Sequence, residues 1–439
     1  MSASIEDVEL LVVGGGKAGK SLAMDRAKAG ASVLMVERDK IGGTCINVAC
    51  IPTKALVGSA RALLGARGAA ALGVRIEGEP AVDLELLRAH KEGVVGGMVS
   101  AHEELFAASG MDFVLGSARF VGERTVEITT SDGATRRVRG RDVVINTGTT
   151  PAHPDLPGLA EAGAWDSESI LRLERLPASL LVLGGGYVGC EFASMFAVFG
   201  ARVTLLQGGD QLLAREDPDV AAAVAEVLRA QGVDVRLGAR ATRVHREASG
   251  DVVVTLADGA EVRGAELLVA TGRAPVTDGL GLDTAGVATT ERGFIVVDDH
   301  LRTSADHVWA AGDVAGSPQF TNASWHDFRV LRANPEGGDA TTAGRLVPYT
   351  VFTTPELARV GLTEKEARAR GREIRVAAST SRRSPAPRPC ASARAPGRPS
   401  STPPSGEILG VALLGHEAGE VMTAVHMAML GGLHYSQVR

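Results

Sequence analysis

Two cysteines, Cys45 and Cys50, are the residues whose types and spacing most directly suggest chemistry. On a straight α-helix, residues five apart differ by about 140° around the axis and by about 7.5 Å along it. A disulfide needs Cα atoms about 4.4–6.8 Å apart, so this pair cannot close on a regular helix. The sequence therefore predicts a distorted segment, with the helix proper starting near Cys50. Pro52 fits such a start because proline is tolerated in the first turn of a helix.

The surroundings of Cys50 favour a reactive thiol. A helix N-terminus stabilises a thiolate at Cys50, and Lys54, one turn further on, adds positive charge to the same face. A structural zinc site would need two more ligands, and no second cysteine pair or histidine cluster supplies them. The alternatives that remain are a redox-active disulfide and two inert core thiols.

The elements that position this pair include two copies of one strand–loop–helix–strand motif, at residues 9–37 and 179–207. In each copy, 23 residues separate the first loop glycine from the polar residue that ends the second strand. Such loops let backbone N–H groups approach a pyrophosphate at a helix N-terminus. Either loop alone is also typical of an ordinary glycine-rich turn, but the equal spacing predicts that the chain binds two dinucleotides. The loop glycines are Gly14, Gly16 and Gly19 in the first copy, and Gly184, Gly186 and Gly189 in the second.

The two copies differ at the residue expected to meet the ribose. Glu37 in the first copy suits free ribose hydroxyls. Gln207 in the second is neutral and can bond a hydroxyl without repelling a 2′-phosphate. Asp210 would repel that phosphate, and Arg215 is the nearest cation. These residues therefore do not decide whether the chain prefers NADH or NADPH. Because the cysteine pair directly follows the first copy, we prefer a redox disulfide next to a bound flavin.

The composition excludes several other classes of protein. The chain has 439 residues and a net charge of −6, which argues against a general nucleic-acid binder. Short apolar runs broken by glycine predict no membrane span, and the absence of a leader pattern predicts a cytoplasmic protein. The four cysteines do not form a secreted disulfide framework.

Several motifs together resemble the class I pyridine nucleotide–disulfide oxidoreductases, FAD enzymes such as dihydrolipoyl dehydrogenase, glutathione reductase and mercuric reductase. Residues 42–54 resemble their redox-active segment, with Ala49 where most members have glycine. The resemblance covers about residues 8–375 and 406–438, and it includes INTG at 145–148, ATGR at 270–273 and AGD at 311–313. A narrower resemblance is to the reactive-chlorine-resistance flavoproteins, which are often labelled mercuric-reductase-like. It is carried by GKAGK at 16–20, TCIN at 44–47, CIPTK at 50–54, EFASMF at 191–196, QFT at 319–321 and VPY at 347–349.

The resemblance implies roles for individual residues. Cys50 would be the thiolate beside the flavin, and Cys45 the outer thiol that meets the substrate. Lys54 would lie near flavin N5 and pair with Glu191, since a buried cation needs a partner. Tyr187 would gate the nicotinamide pocket. Helix packing and a solvated face are the alternatives for both Tyr187 and Glu191. Further cofactor-binding candidates are Gly43, Thr44, Thr147, Gly148, Asp313 (on the ribityl chain), Gly272 and Arg273.

The implied reaction is an FAD-dependent transfer of hydride from NAD(P)H to the Cys45–Cys50 disulfide and on to a small oxidised acceptor. Hypothiocyanous acid and a metal ion are the acceptors that the resemblance suggests. One alternative is a catalytically impaired flavoprotein that binds dinucleotides or a partner. Another is a flavin oxidase or quinone reductase that does not use the disulfide. Mercuric reduction is disfavoured because the adjacent C-terminal cysteine pair of that enzyme is absent.

The predicted fold is α/β, with two Rossmann-like dinucleotide-binding domains and an incomplete C-terminal α+β dimerisation domain that would form a homodimer. We expect an FAD domain at 1–150, an NAD(P) domain at 151–275, a return segment to the FAD domain at 276–345 and the interface domain at 346–439.

Two departures from the family are expected in the interface domain. Residues 379–405 are rich in Pro, Ser and Arg and contain no acidic residue and no Leu, Ile, Val, Phe, Met or aromatic residue. This composition predicts disorder and suggests a compensated reading-frame error or a genuine insertion. The family also continues past Arg439 into a His–Glu segment, so the end of the domain is expected to be truncated. His416, His426 and His434 do not match that motif, and Cys390 is given no role.

Overall fold

Helices and strands alternate along the chain, as the two copies of the strand–loop–helix–strand motif predict. The computed structural model describes residues 5–334, 337–380, 396–402 and 406–438. The helices are α1 (Lys17–Lys28), α2 (Thr44–Asn47), α3 (Cys50–Gly68), α4 (Leu84–Ser109), α5 (Tyr187–Phe199), α6 (Pro218–Ala230), α7 (Thr321–Ala333), α8 (Glu364–Ala369) and α9 (Ala418–Leu430). The strands are β1 (Ile5–Val13), β2 (Val33–Glu37), β3 (Asp112–Phe120), β4 (Thr125–Thr130), β5 (Thr135–Ile145), β6 (Thr149–Pro151), β7 (Trp165–Asp166), β8 (Ser179–Leu183), β9 (Arg202–Leu206), β10 (Asp234–Arg236), β11 (Ala241–Arg246), β12 (Val252–Leu256), β13 (Glu261–Gly264), β14 (Glu266–Val269), β15 (Arg273–Pro275), β16 (Val308–Ala310), β17 (Tyr349–Val351), β18 (Glu356–Gly361), β19 (Arg375–Val376), β20 (Ser379–Thr380), β21 (Pro396–Thr402) and β22 (Glu407–Gly415).

Contacts within the chain divide it into two units. The first contains the described residues of 1–53, 90–151 and 273–345, and the second contains those of 54–89, 152–272 and 346–439. The boundary therefore falls inside α3 and α4.

The first unit is built on a parallel sheet in which β1 pairs with both β2 and β5. β3 adds to β2 and β16 adds to β5, both in parallel, while β4 joins β3 to β5 as an antiparallel strand. The strand order therefore reverses between β1 and β5, and ligands of open α/β sheets bind where the order reverses, beyond the carboxyl ends of the strands. Apolar residues cover both faces of this sheet, as a buried parallel sheet requires.

The second unit repeats this arrangement. β8 pairs in parallel with β9 on one side and β14 on the other, and β10 and β7 complete a five-stranded sheet. The order reverses between β8 and β14. β11, β12 and β13 form a separate antiparallel sheet, which packs on the core through residues such as Val244 and Val254.

The C-terminal sheet of the second unit is antiparallel, in the order β17-β18-β22-β21-β19, with β20 on β21. Disorder was the wrong expectation for Pro396–Thr402, whose backbone pairs with Glu407–Gly415. The expectation failed because strand pairing uses backbone groups and so does not need the large apolar residues that this segment lacks. The disorder prediction also falls on residues 381–395 and 403–405, which lie outside the described residues. Cys390 is one of them.

One helical stretch among the described residues, Thr44–Leu72, is long and apolar enough by composition to cross a membrane. A single such helix is weak evidence, because core helices of soluble proteins pass the same test. Here Lys54 and Arg61 of this stretch form ion pairs within the second unit. Its apolar residues pack into the core of that unit: Leu56, Val57, Ala60 and Leu63.

Candidate redox and dinucleotide-binding sites

The first glycine loop packs against the end of β5 so closely that only glycine fits. Gly14 has φ +102°, and a Cβ there would lie 2.5 Å from the carbonyl oxygen of Asn146. A Cβ at Gly16 would lie 2.5 Å from Asn146 Oδ1, and the N–H of Gly19 donates to the same oxygen at 2.9 Å. The predicted loop glycines therefore expose backbone at the start of α1, which is the arrangement that a pyrophosphate needs.

Asn146 also joins this loop to a third motif. Its Nδ2 donates to the carbonyl of Ala311 at 2.6 Å, and a Cβ at Gly312 would meet that nitrogen at 2.9 Å. Asn146 was not among the predicted site residues. A buried amide at the end of a central strand, next to the strand-order reversal, was the signal that could have identified it.

Glu37 lies beside the loop, as the spacing predicted. Its Oε2 accepts the N–H of Gly15 at 2.7 Å, and its Oε1 accepts the N–H of Asp39 at 3.1 Å. The carboxylate is thus fixed at the edge of the phosphate loop, where a ribose would follow.

Asp313 is a partly buried carboxyl group next to Thr149 and Arg273. Thr149 Oγ1 donates to Asp313 Oδ2 at 2.8 Å, and Arg273 Nε donates to Thr149 Oγ1 at 2.8 Å. Burial raises the pKa of Asp313, while the Thr149 hydroxyl and the Arg273 charge act against that rise. A desolvated carboxylate of this kind suits a ligand that supplies hydroxyl donors, and the ribityl chain of FAD is such a ligand.

The other cofactor-binding candidates of the first unit are held in turns. Thr147 Oγ1 donates to the carbonyl of Val276 at 2.7 Å, and Gly148 has φ +72°. Gly43 precedes the first residue of α2, Thr44, with φ +74°, and a Cβ there would lie 3.1 Å from the carbonyl of Gly15. The cysteine segment therefore begins against the glycine loop.

The cysteine pair lies at a helix break, as predicted. α2 ends at Asn47, Val48 leaves the helical conformation with φ −141° and ψ 11°, and α3 begins at Cys50. No disulfide joins Cys45 and Cys50 here, and the two thiols hydrogen bond to each other. Thr321, the first residue of α7, places its Oγ1 at 3.3 Å from Cys45 Sγ and 3.6 Å from Cys50 Sγ. Both sulfurs therefore share one hydroxyl group, which the sequence did not predict as part of the site.

The surroundings of Cys45 favour its thiolate. The hydrogen bond with Cys50 lowers the pKa of Cys45 to about 6, against the effect of burial, with help from Thr321 and from the charges of Lys20 and Lys17. This pKa applies to the reduced state, in which no disulfide joins Cys45 and Cys50. The role of Cys50 as the thiolate beside a flavin stays a prediction.

Lys20 is buried close to this pair. Its Nζ donates to the carbonyl of Gly42 at 2.9 Å and to His102 Nε2 at 3.0 Å. His102 Nδ1 lies 2.7 Å from the carbonyl of Met98, which can only accept, so Nε2 carries the lone pair that faces Lys20. Burial lowers the pKa of Lys20 to about 8 and also lowers that of His102.

Lys54 and Glu191 form the predicted ion pair in the second unit, with Nζ 2.7 Å from Oε2. Glu191 is buried on α5, and its Oε1 accepts the N–H of Phe352 at 2.9 Å. The Lys54 ammonium also lies 4.2 Å from the centre of the Phe352 ring.

The second glycine loop repeats the geometry of the first. A Cβ at Gly184, where φ is +112°, would meet the carbonyl of Ala270, and one at Gly189 would meet the carbonyl of Gly184. Gln207 Oε1 accepts the N–H of Gly185 at 2.9 Å, so it occupies the position that Glu37 has in the first unit. The two copies are thus equivalent in structure as well as in spacing.

The remaining candidates of the second unit differ in their surroundings. Gly186 directly precedes α5, which begins at Tyr187, a half-buried side chain. Gly272 is exposed, and its carbonyl accepts the N–H of Ala152 rather than contacting the glycine loop.

Comparison with known families decides the identity of this fold. The family described as pyridine nucleotide-disulphide oxidoreductase matches residues 8–327, and its dimerisation domain matches residues 347–439. The chain belongs to the pyridine nucleotide-disulphide oxidoreductase family. The predicted fold class, with a dinucleotide-binding region and a C-terminal dimerisation domain, is confirmed, as is the prediction of an enzyme of this family.

Individual relatives support the narrower resemblance. The chain is 37% identical to the probable pyridine nucleotide-disulfide oxidoreductase RclA of Escherichia coli, over 98% of this chain and 94% of that protein. It is 36% identical to a mercuric reductase of Streptomyces lividans, over 98% of this chain and 91% of that protein. A solved Cu(II) complex of the HOCl-induced flavoprotein disulfide reductase RclA from Escherichia coli superimposes with a TM-score of 0.89 at 36% identity, covering 98% of this chain and 95% of that one. The match to the dimerisation domain also spans residues 379–405, where we expected the resemblance to lapse.

Proposed function

We propose that this chain is an FAD-dependent NAD(P)H:disulfide-type oxidoreductase in which Cys45 and Cys50 carry the reducing equivalents. The observation that carries the proposal is the Thr321 hydroxyl, which lies 3.3 Å from one sulfur and 3.6 Å from the other. The Cys45 and Cys50 thiols also hydrogen bond to each other across the helix break, so a bond between the two sulfurs can form and break with small backbone shifts. Family membership makes this chemistry the expected one.

The residues of the first unit fit FAD. The loop of Gly14 and Gly16 with Asn146 presents bare backbone to a pyrophosphate, Glu37 suits the adenosine ribose and Asp313 suits the ribityl hydroxyls. Bound FAD would accept hydride from a nicotinamide and hand two electrons to sulfur. By the same reasoning we assign NAD(P)H to the second glycine loop and Gln207, with the domain bounds expected from the sequence.

The electrons and the proton of the reductive step balance with NAD(P)H and the two cysteines alone. NAD(P)H and the Cys45–Cys50 disulfide give NAD(P)⁺, one thiol and one thiolate, so the hydride supplies both electrons and the one proton that is retained. Because the pKa of Cys45 in the dithiol is about 6, one sulfur stays ionised at neutral pH without a base to deprotonate it. Thr321 and Lys20 stabilise that charge.

The reduced pair would then reduce a small oxidised acceptor. With a disulfide acceptor, the Cys45 thiolate attacks one sulfur and expels a thiolate. The expelled thiolate takes the proton of the Cys50 thiol. The Cys50 thiolate then attacks Cys45, expels the second sulfur of the acceptor as a thiolate and restores the Cys45–Cys50 bond. Hypothiocyanous acid or a metal ion is the acceptor that the family resemblance suggests. The dimerisation domain supports a homodimer, and the cytoplasmic location stays a prediction from the sequence.

Anaerobic titration of the FAD-loaded chain with NADH, and separately with NADPH, tests the proposal. We expect uptake of two electrons with a long-wavelength absorbance from the thiolate, which Cys50→Ser abolishes. Immediate and complete bleaching that is the same in Cys50→Ser would favour an oxidase or quinone reductase. No bleaching with either nucleotide would favour an impaired flavoprotein that does not turn over.

A further inference from the structure

The segments that follow β9 and β10 in the second unit continue to pair beyond the ends of the two strands. The N–H of Gln207 donates to the carbonyl of Arg236 at 2.9 Å, and the carbonyl of Gln207 accepts the N–H of Ala239 at 2.8 Å. The N–H of Gly238 donates to the carbonyl of Gly209 at 2.8 Å. Backbone hydrogen bonds therefore hold the two segments side by side, whatever side chains they carry.

This pairing brings Arg240, which was not among the predicted site residues, next to Gly208. A Cβ at Gly208 would lie 3.7 Å from the Cα, 3.8 Å from the Cβ and 4.0 Å from the Cγ of Arg240. The first atoms of the arginine side chain thus border the space that a side chain at position 208 would occupy. Gly208, Gly209 and Arg240 are all exposed, so this space is open to a ligand.

The backbone of Arg240 is fixed while its charge is available. Its N–H donates to the carbonyl of Gly238 at 3.0 Å, and its carbonyl accepts the N–H of Ala257 at 2.8 Å. The guanidinium of Arg240 has no ion pair or hydrogen bond to any residue that the structure describes. Arg236, on the neighbouring strand, is instead paired with Asp234 at 2.8 Å. An exposed cation on a fixed backbone can bind an anionic ligand without first breaking an ion pair.

The neighbouring residue Gln207 makes the ribose position compatible with a phosphate. It accepts the N–H of a loop glycine as Glu37 does in the first unit, but its side chain is neutral. A carboxylate there would repel a phosphate on the 2′-oxygen, whereas an amide can donate to it. Arginine binds phosphate through two parallel hydrogen bonds, and an arginine near this ribose can accommodate a 2′-phosphate on folds of this kind. Asp210 is an opposing charge, but it is exposed and therefore screened by solvent.

We propose that Arg240 is a specificity-determining residue that binds the 2′-phosphate of NADPH beside Gln207, so that the second site prefers NADPH to NADH. This inference rests on the proposed function, in which the second loop takes NAD(P)H. Arg240 follows β10 and has no spacing relation to the second glycine loop, so only the pairing of the strands brings it to the ribose position.

The test measures equilibrium binding of NADP⁺ and NAD⁺ to the FAD-loaded full-length chain by isothermal titration calorimetry. We expect the wild type to bind NADP⁺ about tenfold or more tightly than NAD⁺. Arg240→Gln removes the charge and keeps a polar side chain. It should weaken the binding of NADP⁺ about ten- to a hundredfold, the usual effect of losing a hydrogen bond to a charged group. The affinity for NAD⁺, which lacks the 2′-phosphate, should stay unchanged, and this also shows that the variant is folded.

A matched control separates a direct contact from a general effect of charge. Arg202→Gln removes the same charge from an exposed arginine at the first residue of β9, the opposite end of that strand from Gln207. We expect this variant to bind both nucleotides as the wild type does.

Four results would overturn the inference while leaving the proposed function intact. They are a wild type that prefers NAD⁺, an unchanged affinity of Arg240→Gln for NADP⁺, an equal loss of both nucleotides in Arg240→Gln, and an equal loss of NADP⁺ in Arg202→Gln. Failure of the wild-type chain to bind either nucleotide would overturn both the inference and the proposed function.

Discussion

Lys54 Nζ lies 2.7 Å from Glu191 Oε2, although 137 residues separate the two in the sequence. Glu191 uses its second oxygen to accept the backbone N–H of Phe352. One buried carboxylate therefore ties α3, α5 and the segment after β17 together. Its side chain is 11% exposed and that of Lys54 is 33% exposed, so the carboxylate is the more desolvated partner.

We expect Glu191→Ala to destabilise the chain more than Glu191→Gln. Alanine leaves the Phe352 N–H without its acceptor, whereas glutamine retains an acceptor oxygen and loses only the charge. The difference should be about 1–3 kcal/mol, the usual cost of a buried donor left unsatisfied. Urea unfolding midpoints of the two variants measure it, with Lys54→Met as the control that removes the ammonium group alone. Equal midpoints for the alanine and glutamine variants would contradict the expectation.

Local sequence spacing was enough to predict the parts of the site that lie within one continuous segment of the chain. The glycine loops and the helix break before Cys50 follow from residues a few positions apart, because turn and helix geometry is local. The positions of Glu37 and Gln207 follow from the equal spacing of 23 residues in the two copies. The Lys54–Glu191 pair was predicted only through the family resemblance.

Residues that reach the site from distant segments were not predictable in this way. Thr321 is 276 residues from Cys45, and Asn146 is 127 residues from Gly19. Neither has a spacing pattern of its own, and only the fold brings them to the loops. The strand at Pro396–Thr402 escaped prediction for a related reason, since its pairing depends on the neighbouring backbone and not on its own composition.

Thr321→Val should raise the pKa of Cys45. The hydroxyl hydrogen bonds to the sulfur and favours the charged form, so its loss favours the neutral thiol. We expect the pKa to rise by about one pH unit, which corresponds to the loss of one hydrogen bond. The measurement is the pH dependence of the rate at which iodoacetamide alkylates Cys45 in the reduced protein, followed by peptide mass spectrometry. Thr321→Ser keeps the hydroxyl and should retain the wild-type profile, and a profile in Thr321→Val that matches wild type would show that Thr321 is no partner of the thiolate.

The low pKa of Cys45 also predicts how the stability of the reduced chain depends on pH. The pKa is about 6 in the folded state, against 9.0 for an unperturbed thiol. A group with a depressed folded pKa stabilises fully above its unfolded pKa, and this stabilisation is lost as the pH falls towards the folded pKa. The contribution of Cys45 should therefore grow from pH 6 to pH 9 and be missing below pH 6.

Thermal unfolding of the reduced wild type and of Cys45→Ser at pH 5.5, 7 and 9 measures that contribution. Groups away from the cysteine pair titrate in both proteins, so the difference between the two midpoints isolates the titration that depends on Cys45. The difference should widen with pH in favour of the wild type. A difference that stays constant over this range would mean that Cys45 titrates alike in the folded and unfolded chains.

Gly14→Ala should abolish the retention of FAD, while Gly30→Ala should not. Both glycines have positive φ, +102° and +92°, so alanine carries a similar backbone strain at each. They differ in space, because a Cβ at Gly14 would lie 2.5 Å from the carbonyl of Asn146, whereas nothing lies within 4 Å of a Cβ at Gly30. Relieving that contact forces the loop away from β5 and disturbs the backbone that we assign to the pyrophosphate. The ratio of FAD to protein after purification, read from the visible and ultraviolet spectra, measures the effect. Equal FAD content in the two variants would place the flavin pyrophosphate somewhere other than the first glycine loop.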